Sequence, residues 1–280
     1  MNNRPKASVL FIKNLAADIV MDSKVNPAVL QMVNAAAIVV TILFNSLVNI
    51  LPLNGVTTAM VSDSYPNLFT PPGYVFAIWG VIYVLLALFM VYQARASQRK
   101  EEYLGEIGFL YLLGAAANIL WLIAFHYSYG NPSLFIFTPF PITALLVILL
   151  LTYVRLGVGV KKVPAGQKLA VHTPVSVYLG WISLATIANI ASVINVLSPS
   201  IPTDAQALGT VTVILIALAI TLLMLVKRRD FAYSLVVVWA SIGIALKQAS
   251  IPIVYWTALL AVGVIAATIV LMLVKGLGKP

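Results

Sequence analysis

The sequence predicts an all-α integral membrane protein with about eight transmembrane helices. Of its 280 residues, 61% are hydrophobic and only 9% are charged, whereas a soluble domain carries roughly 25% charged residues. A run of about 20 predominantly apolar residues is long enough to span a bilayer as a helix. Such runs lie at residues 31–51, 73–94, 107–126, 135–154, 171–195, 207–226, 231–246 and 252–274.

The distribution of basic residues predicts how these helices are oriented. All but one of the 17 lysines and arginines flank the spans on a single side, and only Lys247 falls on the other. Cytoplasmic loops carry an excess of Lys and Arg, so both termini are expected in the cytoplasm. The net charge of +9 is accounted for by basic loops beside anionic lipid. It therefore gives no reason to expect a nucleic-acid partner.

The residues before the first span, 1–30, are expected to form a cytoplasmic or interfacial segment. Residues 7–20 can form an amphipathic helix with leucine, isoleucine and phenylalanine on one face, which favours the inner membrane surface. No arginine- and serine-rich transit peptide precedes the first span, so a prokaryotic cytoplasmic membrane is favoured. The chain has no Cys, which excludes disulfides and thiolate-ligated metal or haem.

Prolines mark the outer ends of two spans. The longest outer loop, residues 52–70, is long enough to fold over the outer mouth of the bundle. Pro71 and Pro72 then begin the second span, where a missing backbone N–H has little effect. Pro139 and Pro141 lie near the outer end of the fourth span and leave two options open. That end is either irregular and faces a pocket, or the helix begins late.

Three short segments rich in aromatic residues and asparagine interrupt the apolar spans. They read PPGYVFAIWGVIY at 71–83, NILWLIAF at 118–125 and YLGWISLATIAN at 178–189. Their Trp and Asn recur at helical spacing, so each set shares one helix face. An indole offers a flat apolar surface and one N–H donor, and an amide adds donors and an acceptor. We therefore predict an interior pocket for a flat, mostly apolar ligand with a few polar edge groups.

These segments resemble the signature segments of the tryptophan-rich sensory proteins, the bacterial relatives of the mitochondrial translocator protein (the TspO/MBR family). In that family a double proline opens the second helix and is followed by aromatic residues. Trp79 and Tyr83 keep the family's four-residue spacing here. Tyr74 stands where a Trp is usual, and Trp79 follows the prolines one residue earlier than expected, so the register at the top of this helix differs.

The third and fifth helices carry the other parts of the resemblance. The family pattern of Asn, Trp and Phe in the third helix is met by Asn118, Trp121 and Phe125. The fifth-helix pattern of Tyr-x-x-Trp, then Ala-Thr, then Asn is met by Tyr178, Trp181, Ala185, Thr186 and Asn189. Val177 replaces a usual proline, and a Trp that usually follows the Asn is missing. The resemblance covers the first five spans.

The resemblance implies a five-helix bundle over residues 31–196, with a pocket near the outer helix ends capped by the first outer loop. It also implies binding of porphyrins, sterol-like or other flat hydrophobic molecules. Porphyrin or haem would be a ligand, with no cofactor required, and a homodimer is a further expectation. Residues 197–280 look like a three-helix C-terminal extension. The residues expected to line or buttress the pocket are Trp79, Tyr83, Asn118, Trp121, Phe125, Tyr178, Trp181, Ala185 and Asn189.

Other interpretations of the same residues stay open. Asn118 and Asn189 could instead hydrogen-bond between helices, at about 0.6 kcal/mol each, and Trp is common at the membrane interface. Two alternative functions are an uncoupled transporter of a lipophilic molecule and a porphyrin-modifying enzyme. Every Asp and Glu lies in a loop or flank, which disfavours ion-coupled transport. Histidines on opposite sides offer no shared metal site, and the lack of a catalytic constellation favours a non-enzymatic role.

Overall fold

The computed structural model describes residues 25–276, and the predicted amphipathic helix at 7–20 lies outside them. The described chain forms helices and connecting turns without a β-strand. Each predicted span corresponds to one long helix, which confirms the all-α fold. These helices are Pro27–Ile50 (α1), Ile78–Gln93 (α2), Leu110–Tyr127 (α3), Pro139–Arg155 (α4), Thr173–Leu197 (α5), Thr203–Arg228 (α6), Phe231–Lys247 (α7) and Pro252–Val274 (α8).

Seven of these segments are long and apolar enough to cross a membrane, counting the short helical turns that precede α2, α4 and α5. The remaining helix, α7, is apolar and has 17 residues, which is about the lower limit of length for a transmembrane helix. Apolar side chains such as Val84 and Leu120 are exposed on the outer faces of the bundle. The protein is therefore an integral membrane protein in contact with the lipid bilayer.

Within residues 25–276, the eight long helices form one packed bundle, in which α7 joins the last three helices to the first five. Among the described residues, α3 packs on α1 and α4, and α5 packs on α4 and α7. Both α6 and α7 pack on α8. One end of the bundle holds the C-terminal ends of α1, α3, α5 and α7, and we call it the aromatic end. The other holds the loops after α2, α4 and α6, where the lysines and arginines cluster, and we call it the basic end.

Residues 52–72, which form most of the connection between α1 and α2, fold across the aromatic end and are called the cap. It contains a 3-10 turn, Leu53–Gly55, and a short helix, Thr58–Ser64. Asn67 donates from Nδ2 to the Ser192 hydroxyl at 2.7 Å, and that hydroxyl donates to the Tyr65 carbonyl at 2.6 Å. These bonds attach the cap to α5, as a loop folded over the bundle mouth requires.

The start of the fourth span combines the two options that its prolines left open: α4 begins late, and the irregular segment before it faces the cavity through Phe135. A short helix, Pro132–Phe135, and a turn come first, and α4 begins at Pro139. Both Pro139 and Pro141 then lie in the first turn of α4, where a backbone N–H has no partner within the helix. Proline is tolerated there without a kink. The turn before α4 brings Phe135 under the cap, where it stacks on Tyr65 with ring centroids 3.7 Å apart.

Candidate ligand-binding cavity

A small cavity lies under the cap, between α2, α3, α5 and α7. Its volume is about 50 Å³ and its walls are mainly apolar. Of the nine residues that the sequence predicts for the pocket, six line this cavity. They are Trp79, Trp121, Phe125, Trp181, Ala185 and Asn189. The motif residues of α2, α3 and α5 therefore meet at one cavity.

Trp79 lies at the centre of the aromatic packing around this cavity. Its ring is perpendicular to that of Trp181, with centroids 6.4 Å apart, and nearly parallel to that of Tyr83 at 5.8 Å. Across the cavity, Trp121 and Phe125 stack at 5.0 Å. Offset and perpendicular arrangements of this kind are the favourable geometries for aromatic pairs. The cavity wall is thus a set of flat surfaces in van der Waals contact.

Three residues that line the cavity each carry a buried polar atom without a hydrogen-bond partner. Two of these atoms are the indole Nε1 atoms of Trp121 and Trp181, and the third is Oδ1 of Asn189. The amide nitrogen of Asn189 donates to Thr138 Oγ1 at 2.9 Å, which leaves its oxygen as an acceptor. An unpaired buried polar group costs about 1–3 kcal/mol and is rare in native proteins. The residues around this cavity therefore carry two unpaired donors and one unpaired acceptor.

The other three predicted residues do not line the cavity. Asn118 is fully buried, and its Oδ1 accepts a hydrogen bond from Asn45 Nδ2 at 2.5 Å. That bond joins α3 to α1, which is the helix-packing role that the sequence left as an alternative. Tyr83 and Tyr178 pack behind Trp79, with the Tyr178 ring 5.8 Å from that indole. Both tyrosines support the wall from outside.

Several residues that line the cavity lie outside the three sequence motifs. Phe69 and Thr70 come from the cap, and Ala240 and Ile244 come from α7. The approach of α7 depends on Gly243, because an added Cβ would lie 2.5 Å from Val75 Cγ2. Small residues in a membrane helix indicate close packing but do not say against which segment. The α7 contribution therefore could not be found from sequence pattern alone.

Trp239 on α7 also has a role that the sequence did not reveal. Its Nε1 donates to the Val75 carbonyl at 3.0 Å, and Val75 lies in the 3-10 turn Gly73–Ala77 that leads into α2. This bond fixes the start of α2 to α7. The helices predicted as an extension therefore hold the segment that carries Trp79.

The two histidines are far from each other in the fold. His126 is buried, with Nδ1 2.8 Å from the Leu122 carbonyl and Nε2 3.4 Å from Thr58 Oγ1 on the cap. It connects α3 to the cap, and His172 lies at the basic end. Within residues 25–276, no group of three or more His, Asp or Glu could hold a metal ion.

The fold and this cavity define the protein as an α-helical integral membrane protein with an aromatic cavity between its helices. A family model described as "TSPO-like protein" matches residues 31–271, which is most of the chain. The protein therefore belongs to this family, as its aromatic motifs indicate. No curated protein and no solved structure matches the chain.

The family match extends over all eight helices, beyond the first five spans that the resemblance covers. The division into a core at 31–196 and an extension at 197–280 stays a prediction. In the structure α7 shares the cavity wall with α5, so these two parts are joined at the candidate site.

Proposed function

We propose that this protein binds a flat, mainly hydrophobic small molecule, of the porphyrin- or sterol-like kind, in the aromatic cavity. The observation that carries this proposal is the set of unpaired polar atoms on Trp121, Trp181 and Asn189. A ligand with acceptors at one edge and a donor at another would pair with all three. The surrounding indole and phenyl faces would cover its apolar surface. The role is then that of a membrane receptor or carrier for this ligand.

Ligand entry must enlarge the cavity. A volume of about 50 Å³ holds a few water molecules at most, whereas pockets for drug-sized ligands measure about 300–1,000 Å³. The cap is the wall best suited to move, because it is attached to α5 by polar side-chain bonds such as Asn67 to Ser192. Water can replace bonds of that kind at little net cost. We therefore expect the cap to move outward when the ligand binds.

The proposal is tested by titrating the full-length protein in nanodiscs with protoporphyrin and following quenching of tryptophan fluorescence. The double variant Trp121→Phe/Asn189→Ala removes one donor and one acceptor but keeps an aromatic ring at 121. Each lost hydrogen bond is worth about 0.5–1.5 kcal/mol, and about 1.4 kcal/mol changes affinity tenfold. We expect saturable binding by the wild type and binding at least about tenfold weaker in the double variant.

A matched control is Trp256→Phe. Trp256 is 65% exposed on α8 and lies outside the cavity wall, so its loss should leave the affinity unchanged. Quenching that rises linearly without saturation, or that weakens equally in the control, would contradict the proposal. In that case flux of the lipophile into proteoliposomes would test the transporter alternative.

A further inference from the structure

A second and larger cavity lies at the basic end of the bundle. It is formed by the loop after α4, the first turns leading into α5, and the turn between α6 and α7. Its volume is about 440 Å³, which falls within the range of small-molecule sites. The cationic side chains that line it are Lys161, Lys162, Lys168, Arg228 and Arg229.

The carboxylate of Asp230, which also lines this cavity, is engaged in holding the fold together. Its Oδ2 accepts a hydrogen bond from the Tyr153 hydroxyl at 2.8 Å. Its Oδ1 accepts from the backbone N–H of Tyr233 at 3.0 Å and so caps the N-terminus of α7. Asp230 is only 5% exposed. Both of its oxygens therefore already have partners, and the cavity wall keeps an excess of positive charge.

The basic side chains differ in how far they are committed to other partners. Lys161 forms an ion pair with Glu106, which raises the pKa of its ammonium group. Arg228 donates from Nη1 to the Val158 carbonyl at 2.9 Å and lies over the Tyr153 ring. Lys162 and Lys168 are exposed at the rim. These two lysines are the groups best placed to meet an incoming anion.

A buried, unpaired atom on the cavity wall provides an independent indication of a ligand. His172 is only 4% exposed, and its Nε2 has no hydrogen-bond partner. It ends the π-helical turn Lys168–His172, and π-helical turns occur frequently at functional sites. Its imidazole lines the cavity together with the lysines. A polar ligand in the cavity would satisfy this atom.

We infer that this cavity binds a phosphate group. Phosphate oxygens accept charge-assisted hydrogen bonds from ammonium and guanidinium groups, and the imidazole of His172 can add another. Val160, which lines the cavity, is 67% exposed, and Leu169, which follows the lining residue Lys168 in the chain, is 57% exposed. The phosphate can thus belong to the headgroup of an anionic phospholipid or to a phosphate-bearing solute. The inference does not depend on the proposed function, because the two cavities lie at opposite ends of the bundle.

Stabilisation of the full-length protein tests this inference, because a bound ligand raises the unfolding midpoint. The first arm compares inorganic phosphate with chloride at equal ionic strength, on protein in a neutral detergent. The second arm compares nanodiscs of phosphatidylglycerol with nanodiscs of phosphatidylcholine. The cavity variant is Lys162→Gln/Lys168→Gln. Its matched control is Lys100→Gln/Lys275→Gln, which removes the same charge from exposed lysines outside the cavity wall.

We expect a saturable rise in the unfolding midpoint of the wild type and of the control, with at least about tenfold weaker binding in the cavity variant. A rise with inorganic phosphate as well as phosphatidylglycerol identifies a site for free phosphate groups. A rise with phosphatidylglycerol alone identifies a lipid headgroup site. The inference is overturned if chloride matches phosphate and the two lipids do not differ, or if the control weakens as much as the cavity variant.

Substitution of His172 separates the role of its side chain from its contribution to folding. His172→Gln keeps a hydrogen-bonding group near this position, and His172→Phe removes it. We expect the glutamine variant to retain most of the phosphate response and the phenylalanine variant to weaken it several-fold. If phosphate raises the unfolding midpoint equally in both variants, and both are equally stable without phosphate, His172 is not part of the site.

Discussion

The aromatic and basic cavities differ in both volume and chemistry. The aromatic cavity carries all three sequence motifs, yet its volume is only about 50 Å³. The basic cavity carries no motif and measures about 440 Å³. Apolar side chains close together to near-crystalline density, whereas clustered cations repel one another and keep their charged ends in water. We attribute the smaller volume of the aromatic cavity and the larger volume of the basic cavity to this contrast in packing.

Volume alone therefore does not indicate which cavity binds a ligand. Both cavities share a feature that volume does not measure, namely a buried polar atom without a partner. These atoms belong to Trp121, Trp181 and Asn189 at one end and to His172 at the other. Because the two cavities lie at opposite ends of the bundle, we expect that a substitution can disable either one and leave the other intact.

The largest effect is expected from Gly159→Ala at the basic end. Gly159 has φ of +72°, and an added Cβ would overlap the Arg228 carbonyl oxygen. The loop after α4 must then move away from α6, with a loss of about 2–3 kcal/mol in the free energy of unfolding. We expect thermal unfolding to show this loss and phosphate to lose its stabilising effect. Porphyrin titration should give wild-type affinity, and a loss there as well would contradict the independence of the two cavities.

Gly243→Ala is the corresponding change at the aromatic end. The added Cβ would lie 2.5 Å from Val75 Cγ2 and 3.1 Å from Pro71 Cβ, so α7 must move away from the double-proline segment. Overpacking of this kind costs about 1–3 kcal/mol. We expect weaker porphyrin binding with an unchanged phosphate response. Gly263→Ala on α8, where nothing lies within 4 Å of an added Cβ, serves as control for both glycine variants and should leave both responses unchanged.

Trp239→Phe tests whether α7 positions the start of α2. The change keeps an aromatic ring and removes the donor to the Val75 carbonyl, a loss of about 0.5–1.5 kcal/mol. We expect porphyrin affinity to fall several-fold, because Trp79 follows the segment that loses its attachment. Trp256→Phe is again the control. Porphyrin affinity equal to that of the wild type would show that the cavity does not depend on this bond.

The smallest effect is expected from Lys247→Met, which removes an ion pair between α7 and the cap. Lys247 Nζ lies 3.4 Å from Asp63 Oδ1, and the pair is partly exposed, so stability should change by less than about 1 kcal/mol. Cap mobility is the more sensitive readout. Since the chain has no Cys, a spin label at Met60→Cys would report on the cap alone. We expect increased mobility with Lys247→Met, and no change would show that the neutral hydrogen bonds alone hold the cap.

The aromatic motifs could be placed from sequence because helical spacing is a local property. Trp121 and Trp181 each lie on a predictable face, and the alternation of spans brings those faces to the same end. The roles of the asparagines could not be separated in this way. Asn118 and Asn189 each bond to a neighbouring segment and keep one unpaired amide atom, but only Asn189 lines the cavity. Both are single amides in apolar helices, so only their neighbours distinguish them.

The spans, the segregation of basic residues to one end and the three aromatic faces could all be predicted from the sequence. These follow from composition and periodicity, which act over a few helical turns. Three features became visible only in the folded structure: which polar atoms have partners, that α7 completes the aromatic cavity, and that three basic segments line a second cavity. These features depend on packing between segments far apart in the chain, such as Gly243 against Val75 and the loop after α4 against the end of α6. Local sequence patterns do not predict such contacts.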